Sequence, residues 1–371
     1  MRSLFERFLI PGLVIQAVIV GGGYATGREL VEFFVSKGPL TGLLGMGFTA
    51  LWFSLGAMVA FELARRYRAF DYQSFCRTYL GRFAFLFEIG YFATLLLVLS
   101  VVSAAAAKLL QEMAGAPKSV GAIAFVLVVA LLVFFGNRVI ERVISAWSMI
   151  FYATYGILFV FVLARFGDQL GEALHAVPLD GRVAFSEGLS YTGYNIAVLP
   201  ILIFVARNFR SRREALVAGA LAGPLILLPG FAFLLALSAF YPQIVEAPLP
   251  VSVVLAKLGV PVLSILVQLV ILGALVKTGA GLLHGLNERV ARRYADKGSA
   301  MPRSLRPAIA VVALTAAVYV AGRFGLIDLI AHGYRFSSIY FLLVFLLPLL
   351  TYGLWLVLRP EPAVALDGQT P

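Results

Sequence analysis

The feature that most constrains this chain is a series of apolar runs that recurs along its whole length. Each run is about 17–25 residues long, the length that a helix needs to cross the hydrocarbon core of a membrane. The apolar residues do not alternate with polar ones, so the runs are typical of helices rather than barrel strands. Of the 371 residues, 61% are hydrophobic and only 13% are charged, too few to cover a soluble domain. The pattern predicts an all-α polytopic membrane protein.

About ten transmembrane helices are expected. The predicted spans are 8–35, 41–64, 84–110, 119–135, 143–165, 183–206, 214–240, 260–287, 305–322 and 335–358. The first run resembles a signal peptide, but no small-residue cleavage site follows it, and we interpret it as the first span. About 20 basic residues then fall on one side of the membrane and 6 on the other. Because Lys-rich and Arg-rich loops stay inside, both termini are predicted to be cytoplasmic.

The order of the elements repeats along the chain. A polar or amphipathic stretch follows the second span (Arg65–Gly81) and the seventh span (Tyr241–Gly259). Five spans is an odd number, so the second half is predicted to be inverted relative to the first, as in inverted-repeat transporters. The predicted units are a first five-helix repeat over 1–165, an outer connector over 166–182, a second repeat over 183–358, and a disordered cytoplasmic tail over 359–371.

Three consecutive glycines interrupt the first span. Such a run is unfavourable in a helix, and irregular backbone at that depth is tolerated only beside a cavity. The freed N–H groups at the start of the next helical piece suit a carboxylate or another anionic group. The alternative is that small residues merely let two helices pack closely. The predicted substrate-binding residues of this break are Gly21, Gly22, Gly23, Tyr24 and Thr26. A Val at Gly22 or Gly23 should therefore abolish binding and leave the fold intact.

A second polar run interrupts the sixth span at a similar depth. It combines hydroxyl groups, an amide and a permissive glycine, and its tyrosines could form an amphipathic wall around a small solute. A polar seam between helices is the alternative. The predicted substrate-binding residues here are Tyr191, Thr192, Gly193, Tyr194 and Asn195. The sequence predicts that the breaks of the first and sixth spans face each other.

Four charged residues near these breaks are candidates for gating. Arg28, Glu29 and Glu32 directly follow the first break, and Glu187 precedes the second. Ionisable residues inside a membrane are functional candidates by default. They could equally lie in a watery vestibule, with Arg28 and Glu32 paired four residues apart.

The eighth span carries the candidates for ion coupling: Lys277, Thr278 and His284. Lys277 lies near mid-membrane, where a lysine needs a cavity or a partner. The carbonyl groups freed by the broken first span are natural partners for its ammonium group. A purely structural lysine is the alternative. His284 could pair with Glu288 one turn further on and could carry protons.

Motifs for other classes of function are missing from the sequence. It has no phosphate-binding Gly loop ending in Lys-Ser/Thr, no HExxH and no nucleophile elbow. The single cysteine, Cys76, excludes an internal disulfide and a Cys-based metal site. The net charge of +11 is placed in short loops and does not indicate nucleic acid. We therefore expect no enzyme, no cofactor and no resident metal.

Two motifs resemble those of the bacterial YkvI-like membrane proteins. They are Gly22-Gly23-Tyr24-Ala25-Thr26-Gly27-Arg28-Glu29 followed by Phe33-Phe34, and Lys277-Thr278-Gly279-Ala280-Gly281 followed by His284-Gly285-Leu286-Asn287-Glu288-Arg289. The resemblance covers about 350 residues. In plan the chain is similar to the amino acid–polyamine–organocation superfamily with its LeuT-type five-plus-five fold.

That resemblance implies a bacterial inner membrane location, a substrate site between spans one and six, and a cation position between spans one and eight. In sodium-coupled relatives, span eight supplies hydroxyl groups to the ion. Here Lys277 stands nearby with Thr278 as the one adjacent hydroxyl, which disfavours sodium. The metal-transporting branch has Asp-Pro-Gly in span one and a Met in span six, and neither occurs at these breaks.

The sequence thus predicts a secondary transporter of a small polar organic solute, proton-coupled or sodium-independent, with amino-acid-like compounds among the candidate solutes. The alternatives are a sodium symporter of a similar solute and a solute-sensing receptor on the same fold. The expected partners are the solute, the lipid bilayer and protons; the oligomeric state stays open. Transport should not need sodium, and Lys277→Met should remove the proton dependence or the activity.

Overall fold

The computed structural model describes residues 4–135, 137–302 and 304–360, and within these ranges the chain contains helices and no strand. The predicted disordered tail lies almost entirely outside the described residues. The α-helices, in chain order, are α1 Leu4–Phe8, α2 Ile10–Ile19, α3 Gly22–Ala25, α4 Arg28–Phe33, α5 Pro39–Tyr67, α6 Tyr72–Leu80, α7 Ala84–Ala114, α8 Lys118–Phe135, α9 Asn137–His175, α10 Gly181–Asn195, α11 Val198–Ile201, α12 Arg212–Ser238, α13 Pro250–Leu258, α14 Pro261–Asp296, α15 Leu305–Asp328, α16 Arg335–Phe341 and α17 Leu354–Leu358.

These helices correspond to the ten predicted spans. Six helical stretches of the described residues are individually long and apolar enough to cross a membrane, and one of them, Leu305–Leu358, contains both the ninth and the tenth span. The first and sixth spans are divided into shorter pieces, and the fourth is a shorter apolar helix. The chain is therefore a polytopic all-α membrane protein in which the first and sixth spans are broken, as predicted.

Several helices begin where a side chain accepts hydrogen bonds from free backbone N–H groups. Asp71 accepts from the N–H groups of Gln73 and Ser74 at the start of α6. Asp180 does the same for α10, at 2.9 and 3.1 Å. Such caps satisfy the orphan donors of the first turn. The cap at Asp180 fixes where the sixth span begins.

The second and seventh spans, α5 and α12, pack closely because glycine allows their backbones to approach. A Cβ atom at Gly223 would lie 1.9 Å from the carbonyl oxygen of Ala50, and one at Gly219 would lie 2.5 Å from Cα of Met58. The hydroxyl of Ser54 also donates to the carbonyl of Ala220 at 2.8 Å. This pair forms a rigid wall beside the broken first span, since α2 packs against α12.

The two polar stretches between spans each contain a short helix. They are α6, between the second and third spans, and α13, between the seventh and eighth. Cys76 lies on α6 and is only 2% exposed. The predicted outer connector is partly helical, because α9 continues past a kink at Phe166 to His175.

The tenth span is irregular. It begins with a π-helical stretch at Leu329–Tyr334, and two more follow at Leu342–Leu346 and Leu349–Gly353. The chain turns into it at Gly325, whose φ of 77° favours glycine. Helical structure therefore begins before residue 335, the predicted start of this span. The earlier turn brings Tyr334 and Arg335 beside the sixth span.

Candidate substrate site

The first span is interrupted over the predicted residues. Helix α2 ends at Ile19, and Gly21 has extended backbone with φ of −104° and ψ of −164°. The single turn α3 follows, and Gly27 then takes a left-handed conformation with φ of 79° before α4 begins. That conformation is one that glycine adopts at little cost. The span thus changes direction twice.

The break is bonded to the eighth span. The N–H group of Gly22 donates to the hydroxyl of Thr278 at 2.9 Å. Within the break, the hydroxyl of Thr26 donates to the carbonyl of Gly23 at 2.7 Å. Lys277, next to Thr278 in sequence, is only 9% exposed. The structure therefore brings Thr278 into contact with the first break, and Lys277 is a buried neighbour of Thr278 on the same helix.

The third candidate, His284, lies about two turns further along α14. It is half-buried. The carboxylate of Glu288, suggested as its partner, forms an ion pair with Arg306 of the ninth span at 3.1 Å. The structure thus gives Glu288 a different partner from the one that the sequence suggested.

Two glycines of the first break have different surroundings. A Cβ atom at Gly22 would lie 2.7 Å from Cα of Leu275, which is backbone of the eighth span. A Cβ atom at Gly23 would lie 2.1 Å from Oε1 of Glu29, the end of a flexible side chain. The expectation that a larger residue leaves the fold intact therefore fits Gly23. At Gly22 it is wrong, because the eighth span itself occupies the space.

The second break lies slightly later than its predicted residues. Helix α10 continues through Asn195, and the interruption falls at Ile196 and Ala197, before α11. The hydroxyl of Thr192 donates to the carbonyl of Gly188 at 2.8 Å, and the amide of Asn195 donates to the carbonyl of Tyr191 at 3.1 Å. Both side chains therefore bond to their own helix in this structure.

Gly193 serves close packing. A Cβ atom at this position would lie 2.7 Å from the carbonyl oxygen of Ser338. The hydroxyl of Ser338 donates to the carbonyl of Ser190 at 2.6 Å. The glycine thus permits contact between the sixth and tenth spans, which corrects its assignment to a helix break.

Aromatic rings fill the space between the two broken spans. The ring of Tyr194 stacks on Tyr334 at 4.4 Å and on Phe33 at 5.7 Å, measured between ring centroids. The ring of Tyr191 packs edge-on against Phe33 at 5.5 Å. It also contacts the ring of Phe34, at 5.0 Å between centroids. The predicted wall of two tyrosines is thus extended by Tyr334, a residue that the sequence analysis missed because it began the tenth span one residue later.

On its other side the first break contacts the fifth span. The hydroxyl of Tyr155 donates to the carbonyl of Ala25. Tyr24 packs against Phe233, with 6.2 Å between ring centroids. The hydroxyl of Tyr24 is buried and has no hydrogen-bond partner among the described residues. An unpaired buried hydroxyl is costly, and it is a natural contact for a polar group of a bound molecule.

The candidate gating residues form two different arrangements. Arg28 is bonded to Glu32 at 2.5 Å and to the carbonyl groups of Val245 and Ala247 at 2.5 and 3.2 Å. The N–H group of Val251 donates to the carbonyl of Thr26. The segment before α13 is therefore bonded to the part of the first span that follows its break.

Glu187 pairs with Arg335 of the tenth span at 3.0 Å. The guanidinium of Arg335 also lies 5.6 Å from the ring centroid of Phe33. The sequence analysis did not identify Arg335, although it is the first residue of the tenth predicted span.

Glu29 is the remaining candidate for gating. Its Oε2 accepts a hydrogen bond from the hydroxyl of Tyr194 at 2.6 Å. This contact links the two broken spans directly.

Among the described residues, no group of three or more His, Cys, Asp or Glu side chains could hold a metal ion. The arrangement around the breaks includes backbone groups, hydroxyl groups, aromatic rings, the amide of Asn195 and the carboxyl group of Glu29. Such a lining suits a small polar organic molecule.

The architecture is that of the LeuT-type fold: a bundle of about ten helices in two five-helix halves whose first members are broken. The sequence matches no model of a known protein family and no curated protein. Solved structures do match. The chain is similar to MhsT in complex with L-phenylalanine, with a TM-score of 0.63 and 17% identity over 94% of this chain and 88% of that one.

Two further solved structures share the fold. A manganese transporter from Eremococcus coleocola matches with a TM-score of 0.53 and 16% identity, over 93% of this chain and 78% of that one. A sodium-coupled sialic acid symporter, solved in a substrate-bound outward-open state, matches with a TM-score of 0.59 and 11% identity, over 90% of this chain and 74% of that one. At these identities the likeness establishes the fold.

Proposed function

We propose that this protein is a secondary transporter that moves a small polar organic solute across the membrane by alternating access. The observation that carries the proposal is the direct contact between two broken spans, in which Glu29 of the first bonds to Tyr194 of the sixth. Broken helices that meet near the bilayer midplane are where transporters of this plan bind their solutes. The free hydroxyl of Tyr24 and the surrounding rings would contact the solute.

The proposed orientation follows the distribution of charge. Both termini are cytoplasmic, and the membrane is the bacterial inner membrane. Membership of the YkvI-like family and of the wider amino acid–polyamine–organocation superfamily belongs to this proposal, on the motifs quoted above. Nothing in the proposed cycle requires an enzymatic step.

The coupling is proposed to be independent of sodium. Thr278 contributes its hydroxyl to Gly22 of the first break, and Lys277 stands beside it with its side chain largely buried. The amine of Lys277 thus lies on the span to which the resemblance assigns a cation position. The sodium-coupled sialic acid symporter, which shares the fold, makes sodium coupling the alternative within the same class.

The decisive experiment combines binding and flux. Purified protein is screened by thermal shift against amino acids, amines and small carboxylates, each with sodium or with potassium. Stabilising solutes are then tested for uptake into proteoliposomes. We expect sodium-independent stabilisation and flux. Stabilisation without flux would favour the receptor, and a strict sodium requirement would favour the sodium symporter.

A further inference from the structure

The buried carboxyl group of Glu29 lies at the contact between the two breaks. The nearby acids Glu32 and Glu187 each form an ion pair with an arginine, whereas Glu29 is bonded to a tyrosine. Glu29 lies in the first turn of α4 and is 6% exposed. Its Oε2 accepts from the hydroxyl of Tyr194, and its Oε1 lies against Gly23. Among the described residues, Glu29 makes no ion pair. Its only charged-group neighbours on the same turn, Arg28 and Glu32, bond to each other.

Four phenol groups face Glu29 from the helices packed against it. They are Tyr24 of α3, Tyr191 and Tyr194 of α10, and Tyr334 of the tenth span. The two arginines of the outer contacts have other partners. Arg28 is held by Glu32 and by the carbonyls of the segment before α13, and Arg335 is held by Glu187. Within the described part of the chain, neither arginine forms an ion pair with Glu29.

A second buried glutamate gives the contrast. Glu62 near the inner end of α5 is 1% exposed, and Arg65 donates two hydrogen bonds of 2.7 Å to its carboxylate. A carboxylate with such a partner can stay ionised when buried, whereas one without a cation is costly to bury in the charged form. Since the described partner of the Glu29 carboxyl group is a phenol and not a cation, the closed arrangement accommodates it as a neutral acid.

We propose that Glu29 is the binding site of the coupling proton. This inference rests on the proposed transport function and names its driving ion. When the first and sixth spans part on the outer side, water reaches the carboxyl group and it exchanges its proton with the outer solution. When they close, the proton is carried with the solute, and Tyr194 keeps its hydrogen bond to Oε2. In this cycle the group that takes up and releases the proton is Glu29.

The inference has a spectroscopic test that needs no solute. Infrared difference spectra are recorded in nanodiscs as the pH is stepped, for the natural protein, for Glu29→Gln and for Glu62→Gln. We expect a carbonyl stretching band from a protonated carboxylic acid that disappears in Glu29→Gln and persists in Glu62→Gln. A band that persists in Glu29→Gln would overturn the assignment.

Flux supplies the second test. In proteoliposomes, uptake by the natural protein should rise as the outer solution is made more acidic, and uptake by Glu29→Gln should lose this dependence and no longer concentrate the solute. Tyr194→Phe, which removes the donor and keeps the carboxyl group, should move the infrared band and shift the pH dependence, and it serves if Glu29→Gln does not fold. PH-dependent concentrative uptake by Glu29→Gln would refute the inference. If no solute crosses the membrane but the infrared band is present, the proposed transport function is refuted and the assignment of the protonated group to Glu29 is not.

Discussion

The two broken spans differ in the groups they present. In the first span the break is long and glycine-rich, and its backbone reaches the eighth span through the bond from Gly22 to Thr278. In the sixth span the helix is regular through Asn195 and the break is only two residues long. Thr192 and Asn195 bond to their own helix, whereas Tyr194 reaches the first span through Glu29. The first break therefore offers main-chain groups, and the second offers side chains. For a transported solute, the first would set orientation and the second would set selectivity.

The largest effect is expected when a side chain is introduced at the first break, where main-chain groups are presented. Gly22→Val should abolish solute binding and lower the free energy of unfolding by about 1–3 kcal/mol, because its side chain overpacks against the backbone of Leu275. Thermal unfolding and binding of the stabilising solute measure both effects. Gly47→Val is the matched control, since a Cβ atom there meets nothing within 4 Å. Equal stability of the two variants would show that the eighth span does not need this glycine.

Lys277→Met should have the next largest effect. Removing the buried amine next to Thr278 should lower flux at least about tenfold, equivalent to about 1.4 kcal/mol, at every pH. The pH at which flux is half-maximal should not move. Initial uptake rates across a range of external pH check this, with Lys257→Met on the exposed face of α13 as control. Normal, pH-dependent flux in Lys277→Met would contradict the role given to this lysine.

A smaller effect separates two neighbours of the second break. Asn195→Ala should weaken solute binding by about 1–3 kcal/mol, because its amide can turn from its own helix to the solute. Thr192→Val should change binding little, since its hydroxyl is fully buried against the carbonyl of Gly188. Isothermal titration of both variants decides the point. If Thr192→Val loses the larger share, the side chains of the sixth span act in the opposite order.

The smallest effect is expected at the ion pair between the sixth and tenth spans. Glu187 and Arg335 form an ion pair whose arginine side chain is 36% exposed, so water screens the attraction. A double-mutant cycle with Glu187→Gln and Arg335→Met should give a coupling of about 0–1 kcal/mol in the free energy of unfolding. It should shrink further in high salt. A coupling well above this range would mean that the pair fastens the two spans more strongly than its exposure suggests.

Hydropathy was sufficient to predict the spans because the length of an apolar run is fixed by the thickness of the membrane. The first break was equally visible, since consecutive glycines are conspicuous in an apolar helix. The exact bounds were less accurate: the fifth span, predicted at 143–165, belongs to a helix that covers Asn137–His175. The polar ends of helices extend beyond the membrane and carry no hydropathy signal.

The sequence was less informative about contacts between distant spans. Gly193 was interpreted as a break, and it instead allows contact with Ser338, which is 145 residues away in a different span. Tyr334 and Arg335 escaped notice for the same reason, because their importance depends on packing against the sixth span. A single glycine in a helix can mark either a break or a close contact with another helix. Only the residue that packs against it distinguishes the two cases.

The one thiol of the chain has a practical consequence for these experiments. Cys76 is buried on α6, so maleimide reagents will find little to modify in the natural protein. The native chain is therefore already a background for cysteine-accessibility labelling. A cysteine could be introduced at Ser36, shortly after α4. Its labelling rate would show when this end of the first span becomes exposed to water.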